Sequence, residues 1–130
     1  MKEVEKFLDE CGVYYLATIS DDGPKVRPFG TIDIFEEHLY IQTGKSKDIY
    51  KQIEKNNKVE ICAFKDGRWI RISGNLISDD RVETKKHMLD KYPNLRGMYD
   101  ENDDNTIVLY FESGKAVISS FTEDAKVIEF

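Results

Sequence analysis

At 130 residues, with 40% hydrophobic and 34% charged side chains, the chain has the size and composition of one folded domain spanning residues 1–130, long enough to bury one core and short for two. A formal net charge of -6 excludes a broad electrostatic grip on nucleic acid or on an anionic membrane, since both need a surplus of Lys and Arg, so any anion site must be local. Cys11 and Cys62 are too few for a disulfide framework or metal cluster, no apolar run approaches the roughly 20 residues of a membrane span, and residues 1–6 lack the basic-then-apolar order of a secretory signal; the expected setting is a reducing cytoplasm.

Val4, Phe7, Leu8 and Cys11 recur at helical spacing, with Gly12 where a left-handed cap belongs, so residues 2–11 read as a short amphipathic helix. Residues 13–20 are rich in β-branched and aromatic side chains, and Asp21-Asp22-Gly23 signals a tight turn into a second extended run. That run, residues 25–35, alternates with Val26, Pro28, Gly30, Ile32 and Ile34 on one side and Lys25, Arg27, Phe29, Thr31 and Asp33 on the other. Pro28 has no amide to donate, which places the strand at an edge or opens it locally. Glu36-Glu37-His38 turns into a third strand over residues 39–43, which this spacing pairs with the second.

Ser46 can cap a following helix whose buried stripe is Ile49, Tyr50 and Ile53 and which Asn56-Asn57 ends. Residues 59–64 and 68–78 form a second hairpin about Lys65-Asp66-Gly67, and a helix over residues 81–91 stops before Pro93. Residues 96–105 hold four acidic side chains and a Gly and read as an exposed loop. Residues 106–111 and 115–121 supply the last extended stretch or pair, broken near Gly114. There is no repeat and no linker. Antiparallel strands with helices at the corners favour a closed or partly closed barrel over a doubly wound sheet.

Thr43-Gly44-Lys45-Ser46-Lys47 lies between a strand and a helix. A helix N-terminus offers unsatisfied amides and the positive end of its dipole, so two lysines and a hydroxyl there form a seat for a phosphate. An ordinary capped helix with solvated lysines fits the same segment. Arg27-Pro28-Phe29 adds a guanidinium suited to bidentate phosphate contact, with backbone groups beside Pro28 free to meet a planar heterocycle. An exposed strand charge and a core aromatic remain the plain reading of Arg27 and Phe29 taken singly. His38 and His87 sit among charged neighbours and read as solvated, and Cys62 as a small strand residue. No Ser/His/Asp or Cys/His arrangement is legible.

The order Asp22-Gly23-Pro24, Arg27-Pro28-Phe29, a third strand ending in Tyr40-Ile41-Gln42-Thr43-Gly44, then Lys45-Ser46-Lys47 and an amphipathic helix resembles the pyridoxamine 5′-phosphate oxidase-like FMN-binding split barrels. Within these it is most similar to the small nitroimidazole-resistance (NimC/NimA-like) proteins. The resemblance covers about residues 3–121 and is strongest over 16–64. It implies a mainly β fold, a six- or seven-stranded antiparallel split β-barrel with peripheral helices, homodimeric, with FMN at the subunit interface.

By the same resemblance Arg27 and Lys47 would meet the FMN phosphate, with Lys45 and Ser46 in support. The backbone of Pro28, Phe29, Gly30, Thr31 and Ile32 would follow the ribityl chain and ring edge, and Gln42 and Thr43 match paired positions at the end of the third strand. Trp69 and Arg71 would serve the dimer contact or the second subunit's wall of the site. The family's oxidases carry a C-terminal Trp and Arg segment, whereas the only Trp here is Trp69; the nitroimidazole-resistance proteins often have a reactive His where this chain has Gln42. The implied function is an FMN-dependent oxidoreductase taking electrons from a reduced nicotinamide, NAD(P)H, or similar donor and reducing a small planar acceptor, by a reaction other than pyridoxamine phosphate oxidation. A non-catalytic flavin or haem module on the same barrel is the alternative.

Overall fold

The computed structural model describes residues 1–130. Three helices and eight strands follow in the order α1 (Lys2–Cys11), β1 (Tyr14–Ser20), β2 (Gly23–Phe29), β3 (Asp33–Phe35), β4 (His38–Gly44), α2 (Asp48–Lys55), β5 (Lys58–Lys65), β6 (Arg68–Asp79), α3 (Val82–Lys91), β7 (Thr106–Ser120) and β8 (Lys126–Glu129), with a 3₁₀ turn at Pro93–Gly97. Every strand pairing is antiparallel. The sheet runs β2-β1-β5-β6-β7-β4-β3, with β8 added to β7.

Its two edges, β2 and β3, are consecutive in the chain and joined by only Gly30, Thr31 and Ile32. The sheet therefore curls until its edges meet, and the barrel has a seam at that connection. Cross-seam bonds hold it: the Tyr14 hydroxyl donates to the Thr31 carbonyl at 2.6 Å, and the Ile32 amide donates to the Tyr92 hydroxyl at 3.0 Å. Leu16, Leu39, Ile41, Ile61, Ile70, Ile72 and Leu109 fill the interior and are fully buried.

The helices close the ends. On α1, Val4, Phe7 and Leu8 turn inward, and Gly12 ends the helix at φ 75° with its amide shared between the Leu8 and Asp9 carbonyls. On α2, Ile49 and Ile53 form the buried stripe. The Asp66-Gly67 turn takes positive φ at both residues, as a two-residue hairpin requires, and so does Glu36-Glu37, where neither residue is a glycine.

Four expectations change. Residues 25–35 are two strands, and the alternation does not run through them: Val26 is 69% exposed while Ile32, on the same expected side, is 1% exposed. The turn across the seam exchanges the inward parity. The partner of β4 is accordingly β3, through only Asp33–Phe35, and its other neighbour is β7; β2 pairs with β1 alone. The last extended stretch is one 15-residue strand, bent by a register shift opposite Asn75 and Leu76 rather than broken at Gly114. These divisions and the short β8 bring the count to eight strands. Finally, α2 starts from Lys47 in extended conformation with no side-chain cap, so Ser46 does not cap it.

Candidate functional site

The seam opens into a cleft of about 180 Å³ lined by Pro28, Phe29, Gly30 and Thr31 from the β2–β3 connection, Gln42 and Thr43 from β4, Lys47 before α2, and Leu95, Met98 and Tyr99. Seven of these were singled out in the sequence, and the fold brings them together by curling the sheet rather than by pairing β2 with β4. The Gln42 amide donates to the Thr31 hydroxyl at 3.0 Å, which ties the end of β4 to the connection. Gln42 and Thr43 are 5% and 3% exposed, yet Gln42 Oε1 and Thr43 Oγ1 have no hydrogen-bond partner. Buried polar atoms are nearly always satisfied, so two neighbouring orphans in cleft-lining residues fit a ligand with a polar edge.

Arg27 directly precedes the cleft-lining Pro28 but is not itself among the lining residues. It pairs with Leu16 and so projects from the inward face of an edge strand, where it reaches α2: Nη1 donates to Thr18 Oγ1 at 2.7 Å and Nη2 to Gln52 Oε1 at 2.8 Å. Burial lowers its pKa, against the opposing charge of Asp48 in the first turn of α2. Lys47, the residue before that turn, lines the cleft. Lys47 and the first amides of α2 thus bring positive charge to the cleft, and Arg27 is held against the same helix through Gln52.

The remaining expected residues lie elsewhere. Ile32 is buried in the core, and only its backbone is polar-bonded, to Tyr92 and Lys91. The Lys45 ammonium is paired with Asp80 at 2.9 Å, a bond that raises its pKa. The Ser46 amide donates to Asn105 Oδ1 at 2.9 Å and the Lys45 amide to the Asn105 carbonyl at 2.7 Å. Trp69, on the sixth strand rather than the fifth, packs on Phe121 with ring centroids 5.1 Å apart and does not line the cleft. His38 and His87 do not line it either. His87 instead bonds Asp33 through Nδ1 at 2.5 Å and stacks on Phe35.

Sequence reasoning missed Leu95, Met98 and Tyr99, which it left in or beside an acidic loop. Their spacing of three and four residues was the available signal. It also missed Thr18, Gln52 and Asn105, whose partners are distant in the chain and leave no local pattern.

The chain matches the family model described as pyridoxamine 5′-phosphate oxidase over residues 1–91. None of the curated proteins compared with it matches. Among solved structures it is similar to a NimC/NimA family protein from Clostridium acetobutylicum, at 41% identity and a TM-score of 0.96 over 100% of this chain and 92% of that one. General Stress Protein 26 from Bacillus anthracis shares the fold at 16% identity and a TM-score of 0.74, over 98% of each chain. A pyridoxamine 5′-phosphate oxidase-related, FMN-binding protein from Nostoc punctiforme does so at 13% identity and a TM-score of 0.64, over 98% of this chain and 92% of that one. The curled antiparallel sheet, its seam and the 41% identity along the full chain agree: this chain belongs to the pyridoxamine 5′-phosphate oxidase-like split-barrel family, on its NimC/NimA-like side.

Proposed function

We propose that this single-domain chain binds FMN in the seam cleft and is an FMN-dependent oxidoreductase. The observation that carries the reading is the pair of unpartnered buried oxygens, Gln42 Oε1 and Thr43 Oγ1, on residues that line a cleft together with Lys47 and with Pro28, the neighbour of Arg27. The oxygens suit the polar edge of a planar heterocycle and the cations a phosphate. Bound FMN would supply the redox chemistry, accepting hydride from a reduced nicotinamide such as NAD(P)H or a similar donor and passing it to a small planar acceptor.

The chain's own part is binding and orientation. Arg27 and Lys47 hold the phosphate, Lys45 and Ser46 keep the loop between them in shape, and the Pro28–Ile32 backbone flanks the ribityl chain. Gln42 and Thr43 fix the ring. The cleft is lined by no His, Cys, Asp or Glu, so the protein contributes little acid–base chemistry beyond Lys47 and Tyr99. That same observation supports the second reading, a flavin-holding module without turnover; for a haem module the cleft offers only Met98 and Tyr99 as axial ligands.

A second copy of the chain completes the site. The cleft is smaller than the roughly 300–1,000 Å³ of a typical small-molecule pocket. The outer face of the β2-β1-β5-β6 part of the sheet exposes Val26, Tyr15 and Phe64 beside Trp69, which register places on one side. An apolar patch of this kind marks an association surface; a homodimer through it buries Trp69 near the partner's cleft.

The test is the visible spectrum of the purified protein, followed by FMN titration and addition of NADH or NADPH. A yellow protein, or one that quenches added FMN, and that reduces bound flavin with nicotinamide supports the enzyme. Flavin binding with no turnover on any donor or acceptor supports the module. No FMN binding, or binding that survives Arg27→Ala with Lys47→Ala, sinks both.

A further inference from the structure

Most arginines of this chain have charged partners: Arg71 pairs with Glu60, Arg81 with Asp79 and Glu36, and Arg96 with Asp90 and Glu101. Arg27 does not. Its guanidinium donates only to neutral oxygens, at 2.7 Å to Thr18 Oγ1, 2.8 Å to Gln52 Oε1, 3.3 Å to the Lys25 carbonyl and 3.4 Å to the Leu16 carbonyl. The Thr18 hydroxyl closes a ring by donating to Gln52 Oε1 at 2.5 Å. Thr18 is 2% exposed, a hydroxyl on the inward face of β1 where Leu16 and Tyr14 are apolar core.

A buried hydroxyl in such a place is costly unless it is bonded, and its two bonds here both serve the guanidinium, directly and through Gln52. Gln52 lies four residues after Asp48, one turn into α2. The ring therefore fixes Arg27 relative to the helix start and Lys47 through neutral groups, while Asp48 in the first turn of α2 acts on its charge without hydrogen-bonding or ion-pairing with it. A carboxylate at either position would hold the guanidinium as firmly but neutralise it.

We infer that Thr18 and Gln52 are positioning residues that hold Arg27, through neutral contacts alone, as the cationic half of a phosphate subsite, so that the chain distinguishes phosphorylated from unphosphorylated flavin. This rests on the flavin reading above. Neither Thr18 nor Gln52 lines the cleft; both act through Arg27.

The experiment measures dissociation constants of FMN and riboflavin for the full-length wild type, Thr18→Val and Gln52→Glu, with circular dichroism and thermal melting as folding checks. Thr18→Val removes the hydroxyl at nearly constant shape. Gln52→Glu is on a partly exposed helix face, keeps an acceptor for Arg27 and Thr18, and places a negative charge against the guanidinium, so it folds even where Thr18→Val does not. The wild type is expected to prefer FMN, and each variant to lower that preference roughly tenfold, the scale of one charged hydrogen bond, with riboflavin affinity unchanged. Equal loss of both ligands, or an unchanged preference in folded Gln52→Glu, assigns the ring a structural role and overturns the inference while flavin binding stands. A wild type that binds flavin without preferring FMN overturns the phosphate subsite. A wild type that binds neither flavin overturns the function reading and the inference with it.

Discussion

Gln42 and Thr43 put the cost of the proposed binding site on two atoms. Each leaves a side-chain oxygen buried and unbonded in the chain alone, a penalty of about 1–3 kcal/mol per group. Thr43→Val and Gln42→Met remove those oxygens at similar volume, so the flavin-free protein is expected to gain about 1 kcal/mol of stability while losing FMN affinity. Urea unfolding beside FMN titration reads both, and a variant that loses stability and keeps affinity contradicts the assignment. Asp79 shows the opposite case, a buried polar group fully served. Burial favours its neutral form, but hydrogen bonds from Arg81 and Tyr40 outweigh that and bring its pKa down to about 2. Because the folded value lies below the unfolded one near 4, the stabilisation is complete above pH 4 and is lost as pH falls through about 2. About 2 kcal/mol should disappear over that interval. Tyr40→Phe removes one donor, so its denaturation midpoint should fall less steeply with acid than that of the wild type; parallel curves would show that Tyr40 does not hold the carboxylate ionised.

Between elements, Asn105 does for the Lys45-Ser46 loop what Thr18 and Gln52 do for Arg27. Its carbonyl and side chain accept the two loop amides, and a methyl group at Gly44 would meet its Nδ2 at 2.8 Å. Asn105→Ala is expected to cost about 1–2 kcal/mol, and Gly44→Ala to displace the same clamp. Both should weaken FMN binding without abolishing it, which thermal melts with and without FMN will separate. The elements themselves were legible where a local cause sets them: α1 from its apolar spacing and Gly12, the β5–β6 hairpin from Asp66-Gly67, the edge position of β2 from Pro28. The break after Phe29 was not, because the alternation of apolar residues continues unbroken from Val26 to Ile34. What ends β2 is the need to cross from one sheet edge to the other, which the chain does through Gly30, Thr31 and Ile32. That demand is made by the closed sheet and is written nowhere in the segment. The site residues divide likewise: cations, Pro28 and the Gln42-Thr43 pair stand out by type and order, whereas Leu95, Met98, Tyr99 and Asn105 belong to the site only because β7 carries the preceding loop back over the cleft.

For the whole molecule, the exposed outer face of the β2-β1-β5-β6 part of the sheet makes association the expectation. Phe64 and Tyr15 are 65% and 52% exposed there, and a charge on each opposes any dry contact. Tyr15→Glu with Phe64→Glu is expected to convert a dimer to a monomer by light scattering and, on the two-copy site proposed above, to weaken FMN binding. A wild type that is monomeric at micromolar concentration with FMN bound would remove the second copy from the site.

The long β7 also fixes when the cleft can exist. Gln42 and Thr43 pair with Val108 and Ile107, so a growing polypeptide that has delivered its first 91 residues still lacks the strand that positions them. At roughly 5–20 residues per second, the missing part follows within seconds of synthesis, and until then the cleft is incomplete. On the FMN reading proposed above, the barrel assembles before a cofactor arrives, and a cell short of flavin would accumulate colourless protein that turns yellow when supply returns, without new translation.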